Sequence, residues 1–218
     1  FDLKARDLLY KHNPQMKIII ILRNPIDRFE SAFYHLSRLS LLPIEQINYV
    51  IQKMKNTPYD DLDDSYKKLL EYGLYSKGIE NYLQAFDQKQ LLIIPEDLVK
   101  DQNRLIDVLS DFLEIKINNY SVPSIKRNKG VYNLKRLKFL KFKNLFTHKI
   151  HMPTLERYEY KNPLSKFLNF LFTFIDRFFL ANVLENKTEK LTQEAINYLE
   201  NFYKQDQIKL RSYLNSNK

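Results

Sequence analysis

Residues 17–35, KIIIILRNPIDRFESAFYH, place an Ile-rich run directly before Arg-Asn-Pro and a segment of mixed polar and apolar residues. The run 17–22 is short, apolar and flanked by polar residues, which predicts a buried strand. Asn24 is a suitable N-cap and Pro25 a suitable first helical residue, so a helix is expected to begin immediately after the strand. The stretch therefore predicts a strand–turn–helix unit with Arg23 at its junction.

The rest of the chain extends this unit into an α/β pattern. A second Ile- and Leu-rich run predicts another buried strand at 90–95. Apolar periodicity predicts helices at 43–56, 73–86, 103–113 and 192–214, and the sequence between the first two contains an acidic loop at 57–64. Strand, helices, strand and helix in this order are typical of a parallel sheet with crossover helices. We expect a three-layer α/β sandwich with a short parallel sheet and a helical C-terminal portion, in one domain spanning 1–218.

Composition points to an anionic ligand and excludes several kinds of site. The 218 residues carry a net charge of +9, which favours nucleotides, acidic polymers or membrane surfaces as partners. The chain has no cysteine, which excludes disulfides and thiolate metal sites and fits a reducing compartment. Its four histidines lack metal-ligand spacing, and neither a signal peptide nor a membrane span is evident. Together with Lys-, Asn- and Ile-rich usage, this predicts a bacterial cytoplasmic protein without a metal.

Arg23 is the first candidate for ligand binding. Ligands of open parallel sheets collect at the carboxyl ends of the strands, and a helix that starts there offers unpaired N–H groups to an anion. A guanidinium at the same point adds a fork of donors that matches phosphate oxygens. Ser31 follows about two turns along the predicted helix and would add a hydroxyl. The alternative is a surface arginine that caps the sheet, with Ser31 as a small packing residue.

The stretch 17–35 closely resembles the 3′-phosphate-binding segment of sulfotransferases that use 3′-phosphoadenosine 5′-phosphosulfate (PAPS). Members of that family carry a Lys-apolar strand, Arg-Asn/Asp-Pro, an acidic–Arg pair and a downstream Ser. Their arginine and serine bind the 3′-phosphate of the nucleotide, so the resemblance implies these roles for Arg23 and Ser31. It also implies structural pairing for Asp27 and Arg28 near the start of the helix.

Two later stretches extend the resemblance in the same order. Residues 72–115 are similar to the family's Gly-x-Tyr helix, a following strand and a Glu-Asp-Leu segment. Glu96 and Asp97 belong to that segment, and we interpret them as helix-start carboxylates that favour the N-terminal dipole. Residues 124–137 resemble the late cofactor loop, which implies nucleotide contacts for three residues, Arg127, Lys129 and Gly130. The alternative for this loop is a solvated basic turn.

The resemblance implies a P-loop-like sulfotransferase fold and an enzyme that transfers a sulfuryl group from PAPS to a hydroxyl or amine acceptor, possibly a saccharide. In that family a Gly- and Lys-containing loop binds the 5′-phosphosulfate, but the glycines of this chain stand only at 73, 78 and 130. We therefore expect a domain that lacks its N-terminal segment, has no assignable catalytic base and is inactive as given. The alternative is a degenerate domain that binds nucleotide without chemistry. A P-loop kinase of similar architecture is a weaker alternative.

A different class of function comes from the basic stretch 126–149, which has nine Lys or Arg and no Asp or Glu. Basic residues interleaved with Leu and Phe are typical of a helix that binds acidic polymers or membrane surfaces. The alternative function is therefore a non-catalytic binding module. Specific nucleic-acid binding is not expected, because no base-reading motif accompanies the stretch. The neighbouring apolar segment 164–184 is predicted to be a core or interface helix.

Overall fold

A computed structural model describes residues 3–116, 130–151 and 156–215 of the chain. Its strands are β1 (Ile18–Leu22), β2 (Leu91–Pro95), β3 (His148–His151) and β4 (Glu156–Glu159). Its helices are α1 (Leu3–His12), α2 (Pro25–Arg38), α3 (Ile47–Lys55), α4 (Asp64–Glu71), α5 (Ser76–Leu83), α6 (Glu96–Lys100), α7 (Gln102–Leu113), α8 (Leu134–Thr147), α9 (Pro163–Ile175), α10 (Ala181–Val183) and α11 (Gln193–Asn215). Residues Asp176–Leu180 form a π-helical segment between α9 and α10.

The first two strands form the parallel sheet that the sequence predicts. Strand β1 pairs with β2 in parallel, from Ile18 opposite Leu91 to Leu22 opposite Pro95. Helices follow each strand, α2 after β1 and α6 after β2, so both helices begin at the same edge of the sheet. A mostly helical α/β fold with a short parallel sheet and a helical C-terminal portion is confirmed.

One prediction about β1 was too simple. Leu22 is buried, but Ile19 and Ile21 are 39% and 62% exposed. Alternate side chains of a strand point to opposite faces, so only one face of β1 packs against the core. An unbroken isoleucine run does not reveal which of its faces will be covered, because every position is equally apolar.

The chain forms two compact units, each built from separate stretches. The first comprises Phe1–Arg28, Glu71–Arg127 and Leu199–Lys218. Its core joins the inner face of the sheet to α5 and α11, with Ile20, Ile79, Phe86, Ile93 and Leu210 buried together. The side chain of Gln90 donates to the carbonyls of Pro14 and Met16 at 2.8 and 3.1 Å, which fixes the chain leading into β1 beside the start of β2.

The second unit comprises Phe29–Leu70 and Asn128–Tyr198. Glu189 accepts the backbone N–H of Ile47 at 3.0 Å and the side-chain amide of Asn48 at 2.8 Å, so its carboxylate caps the start of α3. Arg136 of α8 forms a two-pronged pair with Asp176, at 2.6 and 2.8 Å. The hydrogen bonds that Arg136 donates to Asp176 raise the pKa of its guanidinium. This pair attaches α8 to the segment after α9.

Several boundaries differ from the predictions. Helix α4 begins at Asp64, inside the acidic stretch that was predicted to be a loop, and it buries Tyr66, Leu69 and Leu70. The antiparallel pair β3–β4 and helix α1 were not predicted. In short helices and strands, charged residues make the apolar periodicity hard to recognise in the sequence. Whether such an element forms depends on the tertiary contacts that it makes. Among the described residues, no helix is both long and apolar enough to cross a membrane.

Candidate functional site

Arg23 lies where the sequence places it, between the end of β1 and the start of α2. The side chain of Asn24 accepts the N–H of Ile26 at 2.9 Å and that of Asp27 at 3.5 Å, which confirms Asn24 as the N-cap and Pro25 as the first residue of the helix. Because this cap already uses donors of the first turn, an anion at the junction would depend mainly on side-chain donors such as that of Arg23.

Glu96, which follows β2, lies beside the junction of β1 and α2. Its Oε2 atom accepts the backbone N–H of Asn24 at 3.2 Å and lies 3.9 Å from Nε of Arg23. Glu96 and Asp97 do begin helix α6, as the sequence suggested. The contact with Arg23 was missed, because it depends on the parallel register that sets Leu22 opposite Pro95. Glu96 therefore forms a long ion pair with Arg23 where the two strands end.

A cleft of about 520 Å³ opens beside this edge. It lies wholly within the first unit and is lined by Ile21, Leu22, Arg23, Arg28, Glu71, Tyr72, Leu74 and Tyr75. Arg28 lies over the Tyr72 ring, with its guanidinium carbon 5.3 Å from the ring centroid. The pairing of Arg28 with Asp27 that the resemblance implied stays a prediction. Two guanidinium groups thus flank one cleft.

Tyr75 provides a buried polar group at the same cleft. Its side chain is 8% exposed, and its hydroxyl makes no well-formed hydrogen bond to the described residues, although the backbone of Arg23 approaches it. Burial raises the pKa of Tyr75, an effect that the positive charge of Arg28 and the backbone and charge of Arg23 oppose. A buried hydroxyl without a partner costs stability unless a ligand or water meets it. The arrangement is suited to an anionic ligand that accepts hydrogen bonds.

The C-terminal helix fixes the segment that carries Tyr75. Asp206 accepts the backbone N–H of Tyr75 at 2.9 Å and that of Ser76 at 3.0 Å, and its Oδ1 atom also accepts the Ser76 hydroxyl at 2.5 Å. Gly73 lies next to this cap, and a Cβ atom there would come within 2.6 Å of the buried Tyr203 ring. Sequence reasoning missed Asp206, because its partners are about 130 residues away in the chain.

The remaining predicted site residues have separate positions. Ser31 is half-buried in the second turn of α2. Gly130 belongs to the second unit, where its carbonyl accepts the Asn186 side-chain amide at 2.7 Å. Arg127 and Lys129 lie outside the described residues. The structure therefore brings Arg23 together with Arg28, Glu96 and Tyr75, and the nucleotide roles of Ser31, Arg127, Lys129 and Gly130 stay predictions.

The described residues show no group of three or more His, Cys, Asp or Glu placed to hold a metal ion. The cleft instead offers two guanidinium groups and a tyrosine hydroxyl, with Glu71 in its lining and Glu96 beside Arg23. The guanidinium groups are suited to an anion through charge-assisted hydrogen bonds, which the two carboxylates would oppose.

Comparison with known proteins decides the family. The model of the sulfotransferase domain family matches residues 7–210, nearly the whole chain. The chain belongs to the sulfotransferase domain family. No curated protein matches it. Among solved structures, the chain is similar to a crystal structure of a sulfotransferase from Alicyclobacillus acidocaldarius, with 22% identity and a TM-score of 0.44. That match covers 66% of this chain and 55% of the other, so the aligned region spans about half the length of that sulfotransferase.

Proposed function

We propose that this sulfotransferase-family chain supplies the 3′-phosphate site of an enzyme that transfers the sulfuryl group of PAPS to an acceptor hydroxyl or amine, with a saccharide as one candidate acceptor. The observation that carries the proposal is the cleft at the carboxyl edge of the β1–β2 sheet, where Arg23, Arg28 and the Tyr75 hydroxyl meet. Family membership supports sulfuryl transfer in general, and the resemblance of residues 17–35 supports this particular donor.

In this proposal Arg23 and Ser31 bind the 3′-phosphate of the nucleotide. A guanidinium at the mouth of a parallel sheet presents two parallel donors to phosphate oxygens, and a serine hydroxyl adds a neutral donor. Arg127, Lys129 and Gly130 are proposed to close over the nucleotide, as the resemblance of residues 124–137 implies. Arg28 and Tyr75 are additional candidates that the cleft itself suggests, because both line it beside Arg23.

Glu96 has a specific part in this arrangement. It lies 3.9 Å from Arg23 and accepts the N–H of Asn24, so it orients the guanidinium while no phosphate is present. Both groups are partly exposed, with 46% of the Arg23 side chain and 34% of the Glu96 side chain accessible, so solvent weakens their attraction. A phosphate carrying more charge can therefore replace the carboxylate as the partner of Arg23 without a large loss of stability.

The reaction follows from the chemistry of the donor. The acceptor oxygen or nitrogen attacks sulfur in line with the leaving group, and the bond between sulfur and the bridging 5′-phosphate oxygen breaks. A base takes the acceptor proton, and 3′-phosphoadenosine 5′-phosphate leaves with the bridging oxygen. Positive groups that stabilise the developing charge on that oxygen would contribute most of the acceleration. We assign neither the base nor these groups to residues of this chain.

The test is a titration of two nucleotides into the full-length protein that contains this chain. We expect 3′-phosphoadenosine 5′-phosphate to bind more tightly than adenosine 5′-phosphate, and Arg23→Ala to remove most of that preference. A hydrogen bond to a charged group contributes roughly 1.5–3 kcal/mol. The loss should therefore be about ten- to a hundredfold for the 3′-phosphorylated nucleotide alone. Ser31→Ala should cost less, since it removes a neutral donor.

Arg104→Ala is the matched control, because Arg104 is an exposed arginine on α7 of the same unit and does not line the cleft. Calorimetry measures each affinity, and circular dichroism confirms that each variant is folded. If Arg23→Ala weakens both nucleotides equally, or if Arg104→Ala has the same effect as Arg23→Ala, the assignment of the 3′-phosphate to Arg23 is wrong.

A further inference from the structure

Helix α9 and the π-helical segment present a continuous apolar face to solvent. Ser165 is the only buried residue of α9, although the helix contains four phenylalanines and three leucines. The side chains of Phe167, Phe170 and Phe178 are 60%, 69% and 57% exposed. Of the two roles predicted for the segment 164–184, a core helix or an interface helix, the exposure excludes the core helix, and the interface role stays a prediction. The unbroken apolar character of the segment resembles that of a buried helix, and only the tertiary structure shows that this face is uncovered.

The exposed rings form a connected surface. Phe174 lies 6.5 Å from Phe170 and 4.7 Å from Phe178, measured between ring centroids. The face toward α8 is different, because Phe172 packs edge-on against Phe139 at 5.6 Å and Phe142 at 6.0 Å. One side of α9 thus attaches it to α8, and the other side remains in contact with water.

The one acidic residue in this region of the helix is neutralised from within the protein. Asp176 interrupts the apolar sequence after α9, and the guanidinium of Arg136 pairs with both of its carboxylate oxygens. The Arg136 and Asp176 side chains are only 13% and 14% exposed. The surface beside the rings therefore presents the positive groups Lys166 and Arg177 to solvent, whereas the carboxylate of Asp176 is covered.

Helix α8 adds a basic border to this apolar face. It carries five Lys or Arg and no acidic residue, and Lys135, Lys138 and Lys141 are exposed. Over residues 130–183 the sequence contains ten Lys or Arg and three Asp or Glu, a net charge of +7 out of +9 for the whole chain. Most of the net positive charge of the chain thus falls in the stretch that also carries the exposed rings of α9.

We propose that α8, α9 and the π-helical segment form a docking surface for an anionic phospholipid membrane. Contiguous exposed apolar surface rimmed by polar residues marks an interaction site. Aromatic and aliphatic side chains on one face, with lysines beside them, fit helices that lie in the plane of a membrane interface. The exposed lysines complement the negative charge of anionic lipid headgroups. A protein partner of arbitrary charge would not account for these lysines. Helices α8 and α9 would then lie along the membrane interface, with the exposed rings of α9 toward the acyl chains.

Sedimentation with lipid vesicles tests this proposal. The probes are vesicles of phosphatidylcholine and vesicles of phosphatidylcholine mixed with phosphatidylserine. We expect binding to the mixed vesicles, weakened by salt, and little binding to phosphatidylcholine alone. Lys138→Gln with Lys141→Gln should lower affinity by about fivefold for each lysine. Phe170→Ser with Phe178→Ser should lower it by about tenfold for each ring removed.

Two control variants match these changes in charge and exposure. Lys77→Gln with Lys204→Gln removes two exposed lysines of the first unit. Tyr49→Ser removes a 57% exposed aromatic side chain of α3, which is not part of the proposed docking surface. Both controls should bind vesicles like the parent chain. Circular dichroism and thermal unfolding show whether each variant folds. Because every substituted side chain is exposed, all variants should have nearly the same melting temperature as the parent.

Three results would overturn the proposal. The first is the absence of binding to mixed vesicles at low salt. The second is binding that the phenylalanine substitutions leave unchanged, which would show an electrostatic attraction without the apolar face. The third is concentration-dependent dimer formation that Phe170→Ser with Phe178→Ser abolishes while no vesicle binding is seen, because the face would then bind a second copy of the chain.

Discussion

Asp206 and Ser76 share a hydrogen bond of 2.5 Å between carboxylate and hydroxyl, although they are 130 positions apart in the chain. The same carboxylate also caps the backbone N–H groups of Tyr75 and Ser76. Asp206 is 9% exposed, so these bonds form in a largely water-excluded place, where bonds to a charged acceptor are strong. The C-terminal helix thereby fixes the start of α5, and with it one wall of the cleft beside Arg23.

Removal of this cap should destabilise the protein. We expect Asp206→Ala to lower the free energy of unfolding by at least about 1.5–3 kcal/mol, because two backbone donors and a hydroxyl lose a charged acceptor. Ser76→Ala should cost less, since both backbone bonds remain. Urea unfolding measures the difference, with Glu200→Ala as the control at an exposed position on the same helix. Equal effects of Asp206→Ala and Glu200→Ala would show that the cap contributes little.

Gly73 should be intolerant of even one added methyl group. A Cβ at this position would lie 2.6 Å from the Tyr203 ring, which is 1% exposed and has little room to move. We expect Gly73→Ala to destabilise the protein by about 1–3 kcal/mol through overpacking.

A double-mutant cycle with Tyr203→Leu tests the cause of this effect. If the clash is with the ring, Gly73→Ala should cost clearly less in the Tyr203→Leu background than in the parent. Thermal unfolding of the four proteins supplies the cycle. Additive costs would mean that the alanine acts through the backbone rather than through Tyr203.

Stability should decrease in alkaline solution, and Tyr75 should contribute to the decrease. Burial raises the folded-state pKa of Tyr75 above the ordinary value of 10.0, so the unfolded chain loses this proton first as pH rises. Stability that is fully present below about pH 10 is then lost as pH rises through the folded-state pKa. Burial acts in the same direction on Tyr34 and Tyr66.

We expect Tyr75→Phe to show a shallower decline of the unfolding free energy above about pH 10 than the parent. At neutral pH the substitution should be neutral or stabilising by up to about 1 kcal/mol, because it removes a buried hydroxyl without a well-formed hydrogen bond. Denaturant unfolding across pH measures both effects, with the exposed Tyr49→Phe as control. Identical slopes for Tyr75→Phe and Tyr49→Phe would contradict the role of burial.

The sequence by itself determined the local elements that carry strong signals. The Ile-rich runs, the Asn-Pro helix start and the apolar periods near 103–113 and 192–214 predicted β1, β2, α2, α7 and α11 close to their observed bounds. It also determined that Arg23 follows a strand and precedes a capped helix. These features depend on backbone preferences and on neighbours within a few residues, which the order of amino acids specifies directly.

The tertiary structure alone decided which distant groups meet. The parallel register sets Glu96 beside Arg23, and α11 brings Asp206 to Ser76. It also left Ile21 and the rings of α9 exposed, although apolar sequence predicts burial. The apolar sequence pattern indicates which side chains would be stabilised by burial. The packing of elements that are distant in sequence determines which of these side chains are actually buried.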